Sequence, residues 1–564
     1  MCWLHKRAKG KTHMNEDEFD EQSLTPASHE EAAGHAAPQL PETPMNGSGE
    51  SAPVGQMRGR GKVPRWLLLS LIGVLALAVL AAGLGVWASL GQRQKKLAPT
   101  PVATTFHPAP CPFGGVVGVV EGRDVRCGYL VVPQDHSRPG GPTLRLAVAI
   151  FKTPTPHPAA DPVLWLVGGP GGSGLQSPPG LRSIAVSLAE WPRDRDLILL
   201  DQRGTGYSQP SLDCTELNTM GNATFLQAVR ACHDRLVREG VNLNAYTTIQ
   251  NAADVHDLVR ALGYRQVNLY GTSYGSRLAL TVMRLFPADL RSVVLDSVLP
   301  PQTNFFTGRA AAAQQAFDTL FRDCGASTAC NQKNPHLQAV FAQLVTELKN
   351  KPATIHVRDL RTGQLVPWLL TGDGLVAGVV SALQFTDLIP KAPAVIYQVR
   401  NHDYAAFLEP NPASTLDSSR SLGMFYSVEC GEDMAFTTPQ RLQASVQVLA
   451  PEYRHAILAG LQQEYEVCQF WGVQPVPSVQ KQAVTSTIPT LILSGQYDPG
   501  TPPANGKLAE RTLSKSYFFL FPDASHILLY TNACADSIIL AFHDSPTKQP
   551  DASCLQRLGP PRFE

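Results

Sequence analysis

The sequence has no charge excess of either sign: Lys+Arg and Asp+Glu each number 47 among 564 residues. A polyanion-binding surface needs a basic excess, so a nucleic-acid partner is not expected. Charged residues make up 17% of the chain and aromatics 7%. No Cys-x-x-Cys pair occurs, and the cysteine spacings do not fit a zinc finger. No glycine-rich stretch ends in the Lys-Ser/Thr of a phosphate-binding loop or has dinucleotide-fingerprint spacing, so nucleotide binding is not expected. What is plentiful is apolar: 43% of residues are hydrophobic and 46 others are proline, enough for a large core and many rigid loops. The length suggests several units or one large domain with insertions.

Charge is also missing locally. From Trp66 to Leu90 there is no charged residue for 25 positions. About 20 apolar residues cross a bilayer as a helix, so this run reads as a single transmembrane span in contact with the lipid bilayer. A cleaved signal peptide has a shorter apolar core near the N-terminus, so the span is expected to be retained as a signal-anchor. Arg58, Arg60, Lys62 and Arg65 precede it and Arg93, Lys95 and Lys96 follow. That one-charge bias favours a cytoplasmic N-terminus. Residues 1–65 are polar, with acids from Glu16 to Glu21, and read as a disordered tail. Residues 91–112 are rich in Pro and Thr and read as a stiff stalk.

Eleven cysteines complete this division: Cys2 lies in the tail and ten lie beyond the span. Ten cysteines admit about 945 pairings, so connectivity stays open. Sequence neighbours would form 111–127, 214–232, 324–330, 430–468 and 534–554. An even cysteine count beyond the span suits an oxidising compartment and a single-pass protein with the residues beyond the span outside the cytoplasmic membrane.

Beyond the stalk, apolar runs alternate with helical periodicity. Leu144–Phe151, Val163–Val167, Leu197–Leu200, Val267–Tyr270, Val293–Leu295 and Leu491–Leu493 are too apolar to alternate, as strands of a buried, largely parallel sheet are. Residues 253–262 and 276–286 carry helical spacing between them. This is an α/β pattern with helices on both faces.

The strand from Val267 runs into Gly271-Thr-Ser273-Tyr-Gly275 and then a helix. This is G-x-S-x-G in the strand–turn–helix setting that exposes a serine hydroxyl above the sheet. A serine nucleophile needs a base, and the base an orienting acid. In this architecture they follow in the order acid, then histidine, each after a strand. Asp498 follows Thr490–Ser494 and His526 follows Tyr517–Phe521, so the candidate catalytic set is Ser273, Asp498 and His526. Asp296, also after a strand, is the alternative acid. Asp523 is too near His526 in sequence to reach its ring easily. For the oxyanion hole, the N–H of Tyr274 is one expected donor. The other comes from the loop Gly168–Gly174, with Gly169 favoured and Gly168 next.

The set GGPGGSG (168–174), DQRGTGYS (201–208), GTSYG (271–275), Asp498 and His526 resembles the α/β-hydrolase serine peptidases of the proline iminopeptidase family, in its tripeptidyl-aminopeptidase-like branch, over about residues 111–554. The glycine loop of iminopeptidases usually opens with His; here Val167 stands in that place. In Asp201-Gln-Arg203 the charged pair is expected to buttress the loop.

The resemblance implies an α/β-hydrolase fold with a core over 113–300 and 488–556 and a mainly helical cap inserted over 301–487. Residues 309–323, 335–350 and 440–460 read as cap helices. It also implies an exopeptidase acting on peptides with a free N-terminus and needing no metal or cofactor. In Tyr426-Ser-Val-Glu429-Cys-Gly-Glu432-Asp433, either Glu429 or Glu432 is the candidate contact for the substrate's amino group, beside the alternative of solvated loop acids. A carboxylesterase for small esters is the runner-up. A non-catalytic binding protein on the same scaffold is the third reading.

Overall fold

In a computed structural model of the chain, residues 104–114, 119–176, 194–219, 224–358, 365–404 and 420–564 are described. The expected tail, the span Trp66–Leu90 and most of the stalk lie outside them. Among the described residues no helix is long and apolar enough to cross a membrane.

The strands are β1 (Thr105–Pro108), β2 (Val125–Pro133), β3 (Thr143–Phe151), β4 (Val163–Leu166), β5 (Leu197–Leu200), β6 (Val267–Thr272), β7 (Leu290–Asp296), β8 (Ala353–Arg358), β9 (Leu365–Leu370), β10 (Thr490–Gly495) and β11 (Ser516–Phe521). Nine of them form one sheet in the order β1-β2-β3-β5-β4-β6-β7-β10-β11. From β5 to β11 every pairing is parallel. From β1 to β5 the pairings are antiparallel. The apolar run at 144–151 therefore does not belong to the parallel part. Its residues alternate between two cores, Leu144, Leu146, Val148 and Ile150 to one and Ala147, Ala149 and Phe151 to the other. Both faces of the strand are covered, so it lacks a polar face whatever its direction. Residues 105–108, which fall within the expected stalk over 91–112, form the edge strand of the sheet.

The helices are α1 (Phe225–Arg238), α2 (Thr248–Ala261), α3 (Tyr274–Leu285), α4 (Phe305–Ala326), α5 (Thr328–Lys333), α6 (Leu337–Asn350), α7 (Gly372–Leu383), α8 (Ala392–Arg400), α9 (Leu422–Glu432), α10 (Pro439–Ser445), α11 (Arg454–Trp471), α12 (Pro503–Glu510) and α13 (Ala533–Asp544). Helices pack on both sheet faces, with α2 and α3 in one core and α13 in the other. The stretch between β7 and β10 is mainly helical and carries its own core around Phe317, Phe341 and Tyr453. Two details differ from expectation. Residues 440–460 are not one helix: α10 ends at Ser445, short turns follow, and α11 starts at Arg454. Pro451, which has no N–H to donate, stands between them. A hairpin, β8–β9, also interrupts the helices.

Five disulfides join Cys111–Cys127, Cys214–Cys232, Cys324–Cys330, Cys430–Cys468 and Cys534–Cys554, the sequence-neighbour pairs. Cys430–Cys468 ties α9 to α11.

Candidate active site

Ser273 sits between β6 and α3 with φ 56° and ψ −124°. A non-glycine residue at positive φ is strained by roughly 1–3 kcal/mol and persists only where its surroundings enforce it. They do so here. A Cβ on Gly275 would stand 1.9 Å from Leu166 O, and one on Gly271 2.5 Å from Gly275 O, so only glycine fits at either place. The Ser273 N–H donates to Asp296 O at 3.0 Å, fixing the turn to the neighbouring strand end.

The loops after β10 and β11 interlock. Gln496 and Tyr497 N–H donate to Phe521 O and Ala524 O at 2.9 and 3.1 Å, and a Cβ on Gly495 would meet Ser525 O at 2.1 Å. That approach brings His526 Nδ1 to 2.8 Å from Asp498 Oδ2. Asp498 is fully buried and saturated: Gly500 and Thr501 N–H donate to Oδ1 at 2.8 Å each, and the Thr501 hydroxyl to Oδ2 at 2.6 Å. Burial pushes the Asp498 carboxyl up, but His526 and Thr501 outweigh it and hold it down at about 2. Burial likewise lowers the His526 pKa, yet Asp498 overcomes it, so the ring titrates above its ordinary value. Thr501, whose hydroxyl also lies 3.1 Å from His526 Nδ1, was not singled out by sequence. Its only signal is its place three residues after Asp498.

Asp296, the alternative acid, has another task. Its carboxylate accepts the Tyr270 hydroxyl and the Leu528 and Leu529 N–H groups, the latter two at 2.9 and 3.3 Å. With its carbonyl on Ser273 and its carboxylate on the backbone just after His526, Asp296 braces both turns against each other. Asp523 accepts from Asn532 Nδ2 at 3.0 Å.

The glycine loop lies against the serine: a Cβ on Gly168 would be 2.7 Å from Ser273 Cβ and 3.3 Å from its Oγ. Gly168 is thus the loop residue in contact with Ser273, with Gly169 next to it in the chain, and Tyr274 is the first residue of α3. Asp201 does support this loop, accepting the Ser173 hydroxyl at 2.7 Å and the Leu175 N–H at 3.0 Å. Its expected partner Arg203 is not with it. Arg203 forks onto Asp254 at 2.6 and 2.7 Å and donates to Gln134 O and Ala245 O. Only one member of that pair buttresses the loop.

The two cap glutamates separate. Glu432 accepts the Thr248 N–H at 2.6 Å and the Thr248 hydroxyl at 2.7 Å, capping the start of α2. Each Glu432 oxygen thus already accepts one bond from Thr248. Glu429 is 1% exposed, and among the described residues neither of its oxygens has a hydrogen-bond partner. Burial raises its pKa, Asp433 raises it further, and Arg277 opposes both. Asp433 is held down by Arg277 at 3.0 Å and by Lys481, which outweigh its own burial. Glu429 also interacts electrostatically with Arg420, which contacts the glycine loop, and Arg277 lies about one helical turn beyond Ser273. Among the described residues no group of three His, Cys, Asp or Glu is arranged to hold a metal ion.

Comparison with known proteins bears on the fold and on the kind of enzyme. A model of the alpha/beta hydrolase fold matches residues 161–363, and one of TAP-like protein matches residues 456–554. The chain has the α/β-hydrolase fold. It is 31% identical over 239 residues to the tripeptidyl aminopeptidase of Streptomyces coelicolor, covering 39% of this chain and 44% of that protein. It is 24% identical over 461 residues to the serine protease Hip1 of Mycobacterium tuberculosis, covering 76% and 86%. It is 25% identical over 470 residues to the carboxylesterase B of Mycobacterium tuberculosis, again covering 76% and 86%. The chain spans less than half the length of the tripeptidyl aminopeptidase that it matches. It is a serine hydrolase with the α/β-hydrolase fold, similar to proteins named as peptidases and as an esterase.

Proposed function

We propose that this hydrolase is a serine exopeptidase that releases short peptides from free N-termini through an acyl-enzyme. His526, oriented by Asp498, takes the proton of Ser273 Oγ as that oxygen attacks the scissile carbonyl. The N–H groups of Tyr274 and Gly169 receive the oxyanion. His526 then gives its proton to the leaving amine, and water, activated by the same ring, releases the acyl group.

The observation that carries the exopeptidase reading is Glu429. A buried carboxyl with two unused oxygens on α9 supplies what an α-ammonium needs, and a charged hydrogen bond there is worth about 1.5–3 kcal/mol. Glu429 is the amino-group contact in this reading. The helical insertion over 301–487 acts as the cap on a core formed by 113–300 and 488–556, and restricts entry to chain ends. A tripeptide amide and its N-acetylated form test this: turnover of the free amine alone supports it, and equal turnover of both contradicts it.

A carboxylesterase is the second reading, favoured by the carboxylesterase B relative. The same triad cleaves esters, and under that reading acetylation and Glu429 make no difference.

We further propose that Trp66–Leu90 anchors the protein in the membrane with residues 1–65 cytoplasmic and the hydrolase outside. The uncharged run and five disulfides, which persist in oxidising compartments, support this topology. Protection of residues beyond 112, but not of the tail, from protease added to the cytoplasmic side of vesicles tests it.

A further inference from the structure

The glycine loop makes one bond to itself, Gly172 N–H to Gly168 O at 3.2 Å. Glycines have the widest backbone freedom, so a loop built from them holds one conformation only if outside groups fix it. Asp201 fixes the far end, at Ser173 and Leu175. The near end, which flanks Ser273, is fixed by the segment that leads into α9.

Arg420 Nε donates to Pro170 O at 3.3 Å, and its Nη2 reaches Gly169 O at 3.5 Å. The guanidinium lies 4.1 Å from the centre of the Phe425 ring, which holds its plane in place. The backbones join as well. Ser421 N–H donates to Gly171 O at 2.8 Å, and Arg420 pairs with Gly172 in an antiparallel bridge. The fit leaves no room for a side chain: a Cβ on Gly171 would stand 2.3 Å from Ser421 O.

We infer that Arg420 is a positioning residue for the oxyanion hole: from the segment leading into α9, it holds the Gly169 and Pro170 carbonyls, and so fixes the turn just after the Gly168–Gly169 peptide whose N–H points at the reacting carbonyl. This rests on the reading above that Gly169 supplies the second donor. The hole is then assembled from two parts, Tyr274 from the core turn and Gly169 from a loop completed by the cap. Because α9 also carries Glu429, the segment that selects the substrate is the one that sets the donor.

The test uses Arg420→Ala and Arg420→Lys in the intact protein, with kcat, KM, thermal midpoint and the Ki of a peptide boronate whose tetrahedral adduct occupies the hole. Loss of alignment costs less than loss of a donor, so Arg420→Ala lowers kcat about tenfold, against roughly 10²–10³ for a deleted donor, with KM within about twofold. The boronate weakens by the same factor as kcat. Lysine keeps the charge without the planar fork and restores little. Phe425→Leu, which removes the platform and leaves the donors, gives an intermediate loss and keeps the test decisive if Arg420→Ala does not fold. An unchanged kcat and boronate Ki in folded variants overturns the inference, as does a raised KM at constant kcat. Ser273→Ala separates the two levels: if it stays active, the reading of the site has failed. If it is inactive while the Arg420 variants match the wild type, only the positioning role has failed.

Discussion

The strand ends of the core and the helix α9 of the insertion treat their carboxyl groups in opposite ways. In the core, Asp498 has both oxygens filled by Gly500, Thr501 and His526, and Asp296 is filled by Tyr270, Leu528 and Leu529. At α9, Glu432 and Asp433, the residue after the helix, have their own partners, but among the described residues Glu429 has no hydrogen-bonded partner. A filled carboxylate is an orienting device that does not change during turnover. An unfilled buried one is expensive to keep, because its ionised form lacks both water and a partner. The difference separates chemistry from selection: the core groups serve any acyl transfer, and Glu429 serves only a substrate that brings a cation.

The sharpest way to break this comparison lies in the core. Ser273→Ala lowers kcat by on the order of 10⁶-fold on every substrate, free or acetylated, and abolishes labelling by a fluorophosphonate. Asp498→Asn follows with a loss of about 10⁴-fold, because the ring is no longer held in the productive tautomer.

On α9 the loss is smaller and depends on the substrate. Glu429→Gln reduces kcat/KM on a free tripeptide amide about ten- to a hundredfold, the equivalent of one charged hydrogen bond. It leaves esters without an amino group unchanged.

The pH profile refines both halves. His526 acts as a base only when neutral, and its pKa lies above the ordinary value of about 6.5, so the acidic limb of kcat/KM has its midpoint above that value. Removing the negative charge in Asp498→Asn moves the limb to lower pH. The pair also stabilises the fold in two windows. The His526 contribution is full below about 6.5 and is lost as pH rises through its raised folded pKa. The Asp498 contribution is present above about 3.9 and is lost as pH falls toward about 2. The smallest catalytic effect is expected from Cys430→Ser with Cys468→Ser. It removes about 2–5 kcal/mol of stability, read by denaturant titration, and loosens α9 without touching Ser273.

How far these features were legible in the sequence follows from what each depends on. Ser273 was legible because its turn demands glycine on both sides, where Leu166 O and Gly275 O leave no space for a Cβ. Asp498 and His526 were legible because order along the chain and a preceding strand place them. The antiparallel direction of β3 was not, since a strand buried on both faces reads the same in either direction. Glu429 and Glu432 were indistinguishable as letters. Their different states depend on Thr248, far away in the chain, which occupies one and leaves the other. Thr501 and Arg420 carry no motif of their own, and only the folded geometry brings them to His526 and to the glycine loop.

The most direct measurement is kcat/KM for a tripeptide amide and its N-acetyl form on the wild type and on Glu429→Gln. The account predicts a strong preference for the free amine in the wild type that collapses in the variant, with the acetylated substrate equally slow on both. A preference that survives Glu429→Gln, or its absence from the wild type, contradicts it.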